Sequence, residues 1–151
     1  MNSKVFLRQL KKLDKMIENK LIEREQWKAI ASGTAQQMGG ERVQTSSNPQ
    51  RMADAIARYI DMESEVDECI DRLVDTKKDV ISVIEQLNAT EYDLLHKVYV
   101  QYMSFDEVAS LYDKSYSWVT TVNGRALRNV QKILDEREKK NERNKNERNK
   151  N

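Results

Sequence analysis

Apolar residues recur along this chain at steps of three and four, with charged residues filling the gaps between them. Over residues 4–31, Phe6, Leu10, Leu13, Ile17, Leu21 and Trp27 keep to one face. That spacing predicts an amphipathic helix ~40 Å long at 1.5 Å rise per residue, ending near Ser32-Gly33. Residues 33–48 are polar, hold three of the four glycines and lose the apolar period, which predicts a mobile connection. Asn48-Pro49 restarts a helix, with asparagine as cap and proline at the first helical position. From there Met52, Ile56, Tyr59, Val66, Ile70, Leu73, Val80, Ile84 and Leu87 fall on alternating steps of three and four, with Glu63 and Lys77 at the two remaining seam positions. A seam sustained this long predicts coiled-coil packing. Its partner is either the first helix, folded back as a hairpin, or the same helix of a second copy.

Asn88-Ala89-Thr90 breaks the pattern, and Thr90-x-x-Asp93 has the spacing of a capped start. A helix over 91–102 then buries Leu94, Leu95, Val98, Tyr99 and Tyr102. Ser104-Phe105-Asp106-Glu107 announces the next helix: a serine hydroxyl accepts from the amide three residues on, and Glu107 reaches back. Tyr112-Asp113-Lys114 supplies a turn, aspartate being one of the few non-glycine residues that tolerates a left-handed backbone. Ser115 caps a further helix over 115–138, whose Val119, Val122, Ala126, Val130 and Ile133 face inward. Two helices joined this tightly predict a helix-turn-helix, in which the second helix presents its N-terminal outer face to a DNA major groove. The end of the chain repeats the pentad Asn-Glu-Arg-Asn-Lys twice with no apolar residue, so residues 139–151 are expected to form a charged tail that is disordered or a frayed helix extension.

The predicted fold is therefore all-α. A long antiparallel, coiled-coil-like hairpin over 1–87 (with its loop at 33–48) precedes a three-helix helix-turn-helix domain over 88–138. Composition agrees: 34% of the 151 residues are charged, 38% are hydrophobic, and there is one proline, the profile of a long-helix protein. The net charge of +1 averages over unlike parts. Residues 1–30 carry eight Lys/Arg against four Asp/Glu, and residues 49–87 carry five against ten. The acidic segment either pairs with the basic one or faces a basic partner. No apolar run approaches the ~18–20 residues of a membrane helix, and no signal peptide is expected. The single cysteine, Cys69, precludes an internal disulfide and suits a reducing cytoplasm.

From Thr90 to Val130 the spacing resembles region four, the promoter-reading domain of bacterial sigma factors. The features that carry this are Glu107-Val108-Ala109 in the first helix of the motif and a Ser-capped recognition helix running into Arg125-Ala126-Leu127. Over about residues 4–136 the chain also resembles small proteins of phages and mobile elements of Gram-positive bacteria that join a helical N-terminal half to a region-four-like end. The Lys-rich first helix, Gly-Gly-Glu-Arg-Val, Asn-Pro-x-Arg-Met and the terminal motif support this likeness. It departs from sigma factors at Asp113, where glycine is usual, at Lys114, where an apolar residue follows, and at Tyr116-Ser117-Trp118, where charged side chains are favoured. The resemblance implies a transcription regulator acting at late promoters of a phage or mobile element by recruiting host RNA polymerase. It implies double-stranded DNA as partner, with residues 4–87 contacting polymerase or mediating homo-oligomerisation. Nothing in 1–87 supplies the aromatic-rich helix needed to melt a promoter.

On a helix opened by Ser115, Tyr116, Ser117, Thr120 and Thr121 lie opposite Val119 and Val122 and are the candidate base contacts. Hydroxyls donate or accept at several bases, and threonine or tyrosine carbons pack on a thymine methyl. Lys114, Ser115, Arg125, Arg128 and Lys132 are the candidate phosphate contacts. Trp118 either covers the core edge or meets DNA backbone or a protein partner. His96, with no second His or Cys nearby, reads as a packed histidine rather than a metal ligand, and Cys69 as a small apolar residue. The carboxylates of Asp61, Glu63, Glu65, Asp67, Glu68 and Asp71 are spread around a helix, which suits a charged surface. Gly39-Gly40 is not followed by a phosphate-cradling Lys-Ser/Thr pair. No enzyme, cofactor or metal is expected. The rival functions are a DNA-packaging component, since small terminase subunits also join a helix-turn-helix to oligomerising helices, and a structural interaction protein.

Overall fold

The computed structural model describes residues 1–33 and 49–150; the expected connection and its Asn48 cap lie outside them. Among the described residues the chain is all-helical, with five α-helices and no strand. These are α1 (Ser3–Ala31), α2 (Pro49–Ile84), α3 (Ala89–Leu95), α4 (Phe105–Tyr112) and α5 (Tyr116–Arg148), with one π-helical turn, His96–Val100, following α3. No described helix is long and apolar enough to cross a membrane. Helix α1 ends as expected. Gly33 takes φ +71°, a left-handed conformation that glycine enters without a side-chain clash.

The described residues divide into two compact units, and the division runs through α1 and α2 rather than at Asn88. One unit gathers the first twelve residues with everything from Val74 onward. Its core joins Phe6, Leu7 and Leu10 of α1, Val80, Val83 and Ile84 of α2, Leu94 and Leu95 of α3, Val108 of α4, and Val119, Ala126 and Val130 of α5. Polar ties reinforce it: the Ser3 amide donates to Gln131 Oε1 (2.7 Å), and Arg137 donates to Asp79 Oδ1 (2.7 Å) and Ser82 Oγ (3.2 Å). The N-terminal three turns of α1 are thus part of this unit.

The other unit lies between Leu13 and Leu73. Here the expected seam of α2 is half right. Val66 is buried, but the second buried column runs through Ala55, Met62 and Cys69, while Ile56 is 48% and Ile70 41% exposed. The interior therefore takes the residue three after Tyr59 and Val66 rather than the one four after. This choice leaves Glu63 in solvent, where its charge is hydrated, instead of at a buried seam position. An ion triad completes the unit: Glu65 accepts from Lys20 Nζ (2.9 Å) and Arg58 Nη1 (2.9 Å), and both donors hold its carboxyl below the usual range.

Two local expectations are corrected, and a third is decided between its alternatives. Helix α3 is capped by Asn88, whose side chain accepts from the Glu91 amide (2.9 Å), and not by Thr90; asparagine outranks threonine as a cap. The helix expected to reach residue 102 ends in the π-turn at Val100, and Tyr102, at φ 60°, is exposed rather than buried. The charged tail takes the second of its two expected forms, a helical extension: α5 continues to Arg148, with residues 138–150 exposed. Once a packed helix has nucleated, each further residue adds one hydrogen bond without a new nucleus. Glu, Lys and Arg are good helix formers, and Glu136–Lys140 and Arg143–Glu147 have the i,i+4 spacing that favours extension.

Candidate nucleic-acid interface

Helix α4 begins where its sequence says it should. Ser104 Oγ accepts from the Glu107 amide (3.1 Å), while Glu107 Oε2 accepts from the Ser104 amide (3.0 Å). At the other end Asp113 adopts φ 52°, ψ 47°. The Asp113 amide bonds Ser110 O and the Lys114 amide bonds Ala109 O, the paired closure of a Schellman turn. Two residues later Ser115 Oγ accepts from the Trp118 amide (3.0 Å) and opens α5. Both ends of the connection are thus hydrogen-bonded within three to five residues, so a three-residue turn suffices to redirect the chain.

Aromatic contacts brace this turn. The Trp118 ring lies 5.7 Å from that of Tyr112, and Lys97 Nζ sits 5.5 Å from the Tyr112 ring centre. Trp118 is half-buried and packs across the α4–α5 junction. His96 is half-buried, its ring 5.8 Å from Tyr92 and its Nδ1 2.8 Å from Gln101 Nε2.

All four candidate base contacts are exposed on the first two turns of α5. Tyr116 remains 56% exposed although its ring lies 5.8 Å from Phe105. Thr120 Oγ1 donates to Tyr116 O (3.0 Å) and Thr121 Oγ1 to Ser117 O (2.9 Å). With their protons engaged, these hydroxyls offer acceptor lone pairs and methyl groups, which suits base amino groups and thymine methyls. Ser115 spends an acceptor lone pair on the cap and keeps its own proton for donation. Among the cations, Lys114 Nζ lies 5.8 Å from the Trp118 ring centre, and Arg128 and Lys132 are exposed. Ser117, Thr121, Arg128 and Lys132 follow one another at steps of four, seven and four, which places them on one stripe of α5.

Arg125 stands apart from the phosphate set. Its Nε donates to Glu91 Oε1 (2.8 Å), and Asn129 Nδ2 donates to both Glu91 oxygens (3.2 and 3.0 Å). Glu91 is 1% exposed. Burial pushes its carboxyl pKa up, but hydrogen bonds from Asn129 and Arg125 outweigh this and hold it below the ordinary value. Arg125 thus pins α5 to α3, and only its outer nitrogens remain for a ligand. Sequence reasoning missed Glu91, although Glu91, Leu94, Leu95 and Val98 have the spacing of a single helix face. Tyr99, buried below α5, has its phenol pKa raised by burial, against opposing effects of an Asn123 hydrogen bond and the charge of Arg8.

No group of three or more His, Cys, Asp or Glu side chains among the described residues is arranged to hold a metal ion. No protein-family model, curated protein or solved structure matches the chain.

Proposed function

We propose that the chain is a sequence-specific DNA-binding transcription regulator in which α4 and α5 form a helix-turn-helix and α5 enters the major groove. The observation that carries this reading is the capped α4, the left-handed Asp113 and the Ser115-capped α5 presenting Tyr116, Ser117, Thr120 and Thr121 to solvent. A buried set of the same residues would have left no helix face to read bases. Regulation of phage or mobile-element genes by recruiting host RNA polymerase rests on the resemblance to region-four-like regulators.

The segment between Leu13 and Leu73 is the interaction module, with α1 and α2 paired as an antiparallel hairpin. Support comes from the order of neighbours: Lys20 meets Glu65, whereas Arg24 and Glu25 act electrostatically on Tyr59. Ile56, Ile60 and Ile70, exposed at near-helical spacing on α2, favour self-association.

Selection of bound fragments from the host genetic element, then transcription in vitro with host polymerase, tests the reading. Enrichment of one promoter and more transcript from it are expected, together with a native mass above that of one chain. Within the enriched site, Thr120→Ala with Thr121→Ala should erase most of the preference over scrambled duplex. Arg128→Ala should weaken all duplexes alike and reduce the salt dependence by about one phosphate. A threonine pair that behaves like the arginine change removes α5 as the base-reading helix.

A further inference from the structure

The first three turns of α1 carry Lys4, Arg8, Lys11 and Lys12 and no acidic residue before Asp14. Steps of four and three put Lys4, Arg8 and Lys11 on one stripe. That stripe lines a cleft of about 520 Å³, and Thr120 of α5 lines it too, with Tyr102 and Phe105 beside them. No aspartate or glutamate lines this cleft. Each of the three cations is exposed, and none has an acidic partner among the described residues. Other cations of the same unit are committed: Arg125 to Glu91, Lys97 to Asp93 and Arg137 to Asp79. Three like charges without counter-charge repel one another, so the arrangement favours an anion between them.

The stripe is also held in place. Phe6, Leu7 and Leu10 are buried beneath it, the Ser3 amide bonds Gln131 of α5, and the terminal ammonium pairs with Glu138 of α5 at 2.7 Å. Lys4 and Lys11 are separated by ~10 Å along the helix axis. That is longer than one phosphate group, and measured along a duplex axis it covers about three nucleotides of one strand at ~3.4 Å rise each.

We infer that the start of α1 is the second half of the DNA interface: Lys4, Arg8 and Lys11 hold successive phosphates of the strand bordering the groove that α5 enters. This rests on α5 as the base-reading helix. The cleft is where the two halves meet, with Thr120 on the base side and the α1 cations on the backbone side. Phosphate contacts fix register without carrying sequence information, which suits a reading face built from hydroxyls whose own contacts are weak.

The test is duplex binding by the full chain across a salt series, read by fluorescence anisotropy on the enriched fragment and on scrambled duplex. The variant is Lys4→Gln with Arg8→Gln and Lys11→Gln. Its control is Lys28→Gln with Arg51→Gln and Arg72→Gln, which removes the same charge from exposed positions of the other unit. The α1 triple should make the slope of log affinity against log salt shallower by about 2–3, at ~0.9 per phosphate, with preference over scrambled duplex retained. Arg8→Gln alone should lower it by about 0.9. The control should leave the slope unchanged, and helical circular dichroism checks that all variants fold. A slope equal to wild type, or a drop matched by the control, overturns this inference and leaves α5 as the reading helix. Loss of preference at unchanged slope overturns it as well, since it would place these residues at bases. Wild-type chain that binds no duplex at any salt overturns both readings.

Discussion

Glu91 and Glu65 each accept from two side chains, one in each compact unit, and the two sites are built on different physics. Glu91 is sealed from solvent and takes its donors, Arg125 and Asn129, from a helix more than thirty residues away. Glu65 is half-buried and takes Lys20 and Arg58 across an open helix surface. A sealed carboxylate must have its partners or lose several kcal/mol, whereas a solvated one falls back on water. The unit that contains α5 therefore adds to its apolar core a polar contact that must keep its partners. The unit between Leu13 and Leu73 sets beside its apolar column an ion triad whose contacts water can replace.

The largest expected effect breaks the sealed site. Glu91→Ala should destabilise the chain by about 3 kcal/mol in denaturant titration, since it removes one partner of a buried pair and strands Asn129. Arg125 is half-exposed and rehydrates, which keeps the loss at the low end of the range for buried pairs. The pH dependence follows. Glu91 has its carboxyl pKa lowered below the ordinary 4.5, so its contribution is complete above that pH and disappears as pH falls through the lowered value. The gap between wild type and Glu91→Ala should be widest near pH 7 and close on acidification toward pH 3. A gap of the same size at both pH values would show that packing, rather than the ionised carboxyl, stabilises this site. Glu65→Gln should shift the midpoint at neutral pH far less.

The counterpart in the other unit is apolar. Met62 is fully buried on α2, and Met62→Ala should destabilise by about 2–3 kcal/mol through lost transfer energy and the cavity left behind. Ile56→Ala, on the exposed column, should fall well below that in the monomer. If the two lie in the reverse order, the seam expected from sequence is the true one.

These sites also mark how far the chain is legible without coordinates. The caps at Ser104 and Ser115 and the left-handed Asp113 are local devices whose partners lie within three to five residues, so spacing alone reveals them. The column through Ala55, Met62 and Cys69 was hidden because Ile56 and Ile70 are the more apolar side chains. Which column turns inward depends on the facing surface, and hydropathy along one helix carries no information about that. Glu91 was hidden for the opposite reason. Its position in the Leu94, Leu95, Val98 period points inward while its charge points outward, and only Arg125 and Asn129 reconcile the two. The candidate DNA face divides in the same way. Exposure of Tyr116, Ser117, Thr120 and Thr121 follows from helical phase, while the diversion of Arg125 to Glu91 is a tertiary event.

The smallest effect asks what the outer face of α5 is for. Gly124 lies inside a helix at an ordinary right-handed conformation, and a Cβ built on it meets only Arg128 Nη1, at 3.7 Å. Nothing in the fold requires glycine there, so Gly124→Ala should stabilise by about 0.5–1 kcal/mol and raise the melting temperature by about 2–3 °C. Yet a residue that weakens a helix and packs against nothing makes sense where another backbone comes close. Gly124 lies one turn beyond Thr120 and one before Arg128. If a duplex runs along that stripe, the added methyl should weaken binding to every sequence by a few-fold while the fold becomes more stable. Opposite signs in the two measurements would separate the demands of DNA from those of folding. A stabilised variant with undiminished binding would place the duplex away from Gly124 and confine contact to the first two turns of α5.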